Sequence, residues 1–256
     1  MLGKLLKYEI PALGRRLVPL FIGWCATAVL LGLAVGPASS KSDFMVVITG
    51  LLYSAMATAV LVMSVILIIQ RYSNSLLGDE AYFNQVLPVT ASEHIAGKGI
   101  SALIWVLLSG VAMLVTGLLI AVFSGAIFGV DIPWAEIFRQ IVRTTAGEWL
   151  SLIEFIILLA FSITKSILAV YAAITIGHQA QKHTTMASIG AYIGLLVFET
   201  TVGRIIIGIF PNVFRNIDSL LELNGVFGGG LLVTAFLGAI YFFICKYFME
   251  NKLNLN

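Results

Sequence analysis

Six apolar runs, each close to or beyond the length that crosses a bilayer, leave this chain few ways to fold. They lie at about residues 17–36, 45–70, 91–124, 149–177, 185–209 and 228–246. A lone strand would leave its backbone polar groups unpaired in lipid, so runs of this length are helical. Only 11% of residues are charged, against 59% hydrophobic, and the mean hydropathy is +1.01. A water-soluble domain carries about a quarter charged residues, so this chain cannot cover a globule in water. The expected fold class is all-α: a polytopic membrane protein of six transmembrane helices, residues 1–256 forming a single transmembrane domain with no separate soluble part.

The segment before the first run, residues 1–16, sets Leu2, Leu5, Leu6 and Ile10 on one helical face beside Lys4 and Lys7. It reads as a short amphipathic helix on the membrane surface ahead of span one. The alternative is the basic start of a secretory signal, but the run is long for that role and Pro37 after Gly36 is a poor cleavage context. An uncleaved first span is the expectation.

Lysine and arginine near the span ends set the orientation. With the N-terminus inside, Lys4, Lys7, Arg15, Arg16, Arg71, Lys98, Lys182, Lys246 and Lys252 fall on the cytoplasmic side. Lys41, Arg139, Arg143, Arg204 and Arg215 fall outside. Both termini are therefore expected in the cytoplasm, with the plasma membrane as the location. The formal charge of +2 includes no basic stripe interleaved with aromatics, so nucleic-acid binding has no support. Cys25 and Cys245 lie in apolar runs without metal-ligand spacing and read as packed thiols.

Two outer connections depart from simple turns. Residues 129–148 set Ile137, Phe138 and Ile141 apart from Glu136, Arg139 and Arg143, with Asp131 as a cap and Pro133 in the first turn. This predicts an interfacial helix. Residues 210–227 mix Pro211, Arg215, Asp218, Glu222 and Asn224 with Phe and Leu, which predicts a re-entrant or interfacial segment before span six.

The polar stretch from Arg71 to Lys98 is too long and too patterned for a turn. Asp79 suits an N-cap, and Glu80 favours the positive end of a helix dipole. Tyr82, Phe83, Val86 and Leu87 then form one apolar face, and Pro88 stops the helix. Thr90-Ala91-Ser92-Glu93 follows as a capping box, with Glu93 three residues after Thr90, and predicts the start of the third span. The short helix either lies on the inner leaflet or docks into a groove on a protein partner.

Asp79-Glu80-Ala81-Tyr82, then Leu87-Pro88-Val89, then Lys98 early in an apolar helix, resembles an ABC transporter permease of the type-2 exporter class. Six spans, cytoplasmic termini, an amphipathic N-terminal helix and an irregular segment before the last span fit the same family. The resemblance covers essentially the whole chain, although only the loop carries recognisable residues, and Ala81 stands where a glycine is common. It implies that the loop is a cytoplasmic coupling helix between spans two and three. Its contact set on a separate ABC-type ATPase subunit would be Asp79, Glu80, Tyr82, Phe83, Leu87 and Pro88. It implies further a dimer with a second permease copy or paralogue, and export of a hydrophobic or amphipathic compound such as a drug, peptide or lipid-like molecule. No Gly-x-x-x-x-Gly-Lys-Ser/Thr phosphate loop occurs in the sequence; Ala96-Gly97-Lys98-Gly99 lacks the earlier glycine and the hydroxyl residue. No cofactor is expected on this chain, ATP and magnesium belonging to the partner ATPase.

Spans four and five carry four charged residues: Glu154, Lys165, Glu199 and Arg204. Lys165 and Glu199 fall near the middle of antiparallel spans four and five, at comparable depth, where they could pair. Glu154 and Lys165 are about 16 Å apart along one helix and cannot. Glu154 and Arg204 are both near the outer end, but Glu199 and Arg204 point to different faces, so both cross-span pairs cannot be ideal at once. Helix packing, a substrate path and a proton relay all remain open for these residues. His94, His178 and His183 fall near the cytoplasmic boundary, the last two in a loop that reads as solvated rather than metal-binding.

Intramembrane hydrolysis needs a nucleophile with a base, or a metal with carboxylates. No His-Glu-x-x-His and no Gly-x-Ser-x-Gly occurs, and Ser101, Ser109, Ser151, Ser162 and Ser166 lie in spans without a membrane-embedded histidine. The chain is not expected to be an enzyme. A proton-coupled secondary transporter using Lys165 and Glu199 is the rival transport reading, though the matched broken halves of many such folds are not evident.

Overall fold

The computed structural model describes residues 2–35, 43–76, 90–128, 133–180, 183–211 and 219–251. Among them are seven helices: α1 (Leu2–Ala34), α2 (Asp43–Leu76), α3 (Ala91–Phe128), α4 (Trp134–Arg143), α5 (Ala146–Gly177), α6 (Thr184–Ile209) and α7 (Leu220–Asn251). All but α4 are long and apolar enough to cross a membrane. The described residues hold no strand.

Three helix starts share one chemical rule. Thr90 opens α3 as expected: the Thr90 amide donates to Glu93 Oε2 (3.1 Å), and the Glu93 amide donates to Thr90 Oγ1 (3.3 Å). The same reciprocal box opens α5, through Thr145 and Glu148, and α7, through Ser219 and Glu222. Each box satisfies two backbone donors that the first turn leaves orphaned.

Two expected boundaries need correction. The amphipathic segment 1–16 is not a separate helix, because α1 runs unbroken through Pro11 and Pro19. Each proline removes one amide donor, which a helix held by side-chain packing tolerates. The expected faces are present all the same: Leu2, Leu5, Leu6 and Ile10 are partly buried, while Lys4 and Lys7 are exposed. Residues 220–227, assigned from sequence to an irregular segment, are the first two turns of α7, set by the Ser219 box. The rest of that segment, 212–218, lies outside the described residues.

The chain divides into two compact units, one of residues 7–68 and 104–143, the other of residues 1–6, 69–103 and 144–256. In the first, Leu13, Leu17, Leu67 and Trp105 form a buried cluster with Ile10, Leu20 and Phe21 against it. The Trp105 indole donates to the Ile10 carbonyl (3.0 Å). Gly14 permits that approach, since a Cβ there would lie 2.6 Å from the indole ring. Tyr53 and Thr116 join α2 to α3 through their hydroxyls (3.1 Å), with Trp24 beside the Tyr53 ring. The predicted helix in 129–148 is α4; its Ile137, Phe138, Ile141 and Val142 are exposed, and Asp131 lies outside the described residues.

In the second unit α5 is the central helix, packed against α6 on one side and α7 on another. Ten of its buried residues lie between Lys165 and Gly177, whereas α6 buries no residue at all. Where α5 meets α6, Gly177 is indispensable: a Cβ would fall 2.5 Å from the Ser188 backbone.

Candidate functional site

Three polar clusters tie α5 to its neighbours in this unit. Near the start of α5, Ser151 donates to the Gly147 carbonyl (3.1 Å) and meets the Asn224 side chain of α7 at 2.6 Å. With its amide oriented to donate, Asn224 also reaches Glu154 Oε2 (3.3 Å) and the Leu220 carbonyl (3.2 Å). Glu154 is therefore engaged by α7. Of the two cross-span pairs weighed from sequence, Glu154–Arg204 is not formed among the described residues, and Arg204 is exposed on α6.

Midway along α5, the Lys165 ammonium pairs with the Glu199 carboxylate of α6, as their depth predicted. The two partners differ: the Lys165 side chain is 10% exposed and that of Glu199 28%. From α7, Gly238 faces Lys165: a Cβ added to the glycine would lie 3.8 Å from the Lys165 Cβ, in ordinary van der Waals contact. One turn on, Tyr241 is wholly buried, its hydroxyl makes no hydrogen bond of good geometry, and Glu199 is the charge that acts on it. Three helices thus bring an ammonium, a carboxylate and a phenol to one place.

Towards the end of α5, Tyr72 of α2 stacks on Tyr171, ring centroids 3.9 Å apart and planes 9° apart. The Tyr72 and Thr175 hydroxyls meet at 2.8 Å, and Thr175 donates to the Tyr171 carbonyl (2.7 Å). Tyr171 in turn donates to the Lys98 carbonyl of α3 at 3.4 Å. Cys245 of α7 is fully buried beside Leu168, a free thiol as expected. This cluster joins α5 to the end of α2 and the start of α3, the two helices that flank the loop singled out from sequence.

That loop is not itself described. Asp79, Glu80, Tyr82, Phe83, Leu87 and Pro88 all fall in 77–89, outside the described residues. Of the histidines, His178 sets Nδ1 3.0 Å from the Ile174 carbonyl, and His183 directly precedes α6 without a side-chain cap.

Sequence reasoning found Lys165 and Glu199 because charge stands out in an apolar run. It missed Tyr241, Tyr72, Thr175 and Asn224. Hydroxyl and aromatic residues inside a span have no marker that separates a buried polar knot from ordinary packing. Asn224 gives a signal, being polar beside Glu222, but in sequence it falls in the segment that reads as re-entrant or interfacial rather than as the start of α7.

The helices and their buried polar ties define a multi-pass helical membrane protein. No protein-family model, no curated protein and no solved structure matches the chain.

Proposed function

We propose that this chain is the membrane permease subunit of an ATP-driven ABC exporter in the plasma membrane, with both termini cytoplasmic. It would move a hydrophobic or amphipathic substrate with energy from a separate ATPase subunit. The observation that carries the reading is the junction at α3. The Leu87-Pro88-Val89 sequence is followed at once by the Thr90–Glu93 capping box, and the helix it opens runs across the membrane length. A docking helix within 77–89 would therefore lie in sequence directly between the end of α2 at Leu76 and the cap of α3 at Thr90. The buried Tyr72–Tyr171–Thr175 cluster ties both helices to α5. Because the sequence carries no phosphate loop, this reading assigns the nucleotide site to another chain.

In this reading Asp79, Glu80, Tyr82, Phe83, Leu87 and Pro88 contact the ATPase, and a second permease copy or paralogue completes the assembly. Affinity-purified chain should carry an ABC-type ATPase with it, and Glu80→Lys or Tyr82→Ala should strip that ATPase without lowering the amount of folded permease. Purified chain that moves substrate on a proton gradient with no ATPase present would replace this reading with its rival. The buried Lys165–Glu199 pair favours that rival, a proton-coupled secondary transporter.

A further inference from the structure

The cluster around Lys165 has more donors than its one acceptor serves well. Lys165 brings three N–H groups and Tyr241 one O–H, both from buried positions. Against them stands the Glu199 carboxylate, which bonds Lys165 through Oε1 and leaves the Tyr241 hydroxyl without a good hydrogen bond. A buried donor left in that state is costly. Glu199 is also the less buried partner, 28% exposed against 10% for Lys165, and sits on α6, which buries no residue, whereas Lys165 and Tyr241 are buried on α5 and α7, which pack closely together.

We propose that Lys165 and Tyr241 form a binding site for the anionic headgroup of an amphiphile, with Glu199 as a resident counter-ion that the headgroup replaces. The sign follows from which partner can leave. A cationic ligand would have to displace Lys165, the buried member, and strand it. An anion displaces Glu199 towards the exposed side and keeps Lys165 paired, while a carboxylate or phosphate offers the acceptor that Tyr241 lacks. The tail follows from the surroundings. Phe161, one turn before Lys165, and Leu196 and Phe198 beside Glu199 are exposed apolar side chains at mid-span. An acyl chain can lie along them, and a small hydrophilic anion has no route to that depth. The inference rests on the permease reading for its meaning, a cargo or lipid effector of one charge class. Its test does not, because binding is measured without ATP or a partner.

The test titrates the purified full-length chain, in an uncharged detergent, with a fluorescent long-chain fatty acid and with fluorescent phosphatidic acid. The matched neutral probes are the fatty-acid methyl ester and diacylglycerol. At least one anionic probe should bind about tenfold more tightly than its neutral partner, the effect of one charge-assisted contact; which one does so tells carboxylate from phosphate. Glu199→Gln removes the competing charge and should tighten the anionic probe about tenfold. Tyr241→Phe should weaken it several-fold with the neutral probe unmoved. The double variant Lys165→Gln/Glu199→Gln buries no unpaired charge, so it keeps the test alive if the single variant fails to fold, and it should abolish the preference. Equal binding of charged and neutral probes, a preference that survives in the double variant, or a folded Glu199→Gln that binds the anion no better would overturn the proposal. Loss of ATPase co-purification with this binding intact would overturn only the exporter reading.

Discussion

Helices α6 and α7 both pack on α5, yet they are held by different means. α7 buries Leu237, Tyr241 and Cys245 along one stripe and adds the Asn224 tie near its start. α6 buries nothing; among the described residues its ion pair to α5 is Lys165–Glu199, beside the close backbone approach at Gly177. In a bilayer the lipid tails are as apolar as leucine, so packing and polar contacts, rather than escape from water, decide which helices associate. By that measure α7 is fixed by shape, and α6 by charge.

The sharpest way to break this contrast is Lys165→Met. It leaves the partly exposed Glu199 without its partner and should cost about 1.5–3 kcal/mol, read as a lower unfolding midpoint in detergent. The apolar double variant Lys165→Met/Glu199→Leu should recover most of that loss. If the single variant melts like the parent chain, charge does not hold α6. Gly177→Val comes next. Its side chain would enter the Ser188 backbone, and overpacking of this kind costs about 1–3 kcal/mol or more; greater protease access between α5 and α6 is the readout.

A matched pair of truncations sharpens the comparison further. Leu237→Ala on α7 should cost about 2 kcal/mol, the low end for a buried leucine because no transfer to water is involved. Ile193→Ala on α6 should stay within about 0.5 kcal/mol, as at any exposed site. Equal costs would mean that another surface covers α6 in the purified protein. Smallest of the set, Thr145→Ala removes the cap of α5 and should cost about 1 kcal/mol; faster amide exchange at the first turn, up to Glu148, would show it.

The parts of this arrangement that were legible in the sequence are those with contrast against an apolar background. Lys165 and Glu199 stood out as charges, and antiparallel geometry put them at one depth. Thr90 and Glu93 stood out because their spacing carries a mechanism. The boxes at Thr145 and Ser219 have the same spacing, and were passed over because the polar residues around them were grouped into interfacial segments. The continuous helix through Pro11 and Pro19 was hidden for the opposite reason: local signals argued for a break, and packing by Leu13, Leu17 and Trp105 prevailed. Tyr72 and Tyr241 were beyond reach, since an aromatic in a span looks the same whether its hydroxyl meets Thr175 or nothing.

Helix length adds a further distinction. At 1.5 Å per residue, the 38 residues of α3 span about 57 Å, and the 32 residues of α5 and of α7 about 48 Å each. A hydrocarbon core of about 30 Å leaves those helices several turns to spare. α6, with 26 residues, reaches only about 39 Å. The span with the least burial is thus also the one with the least slack against bilayer thickness. Lipids with longer acyl chains should strain α6 before any other span, so that membrane thickness becomes a handle on the Lys165–Glu199 pair.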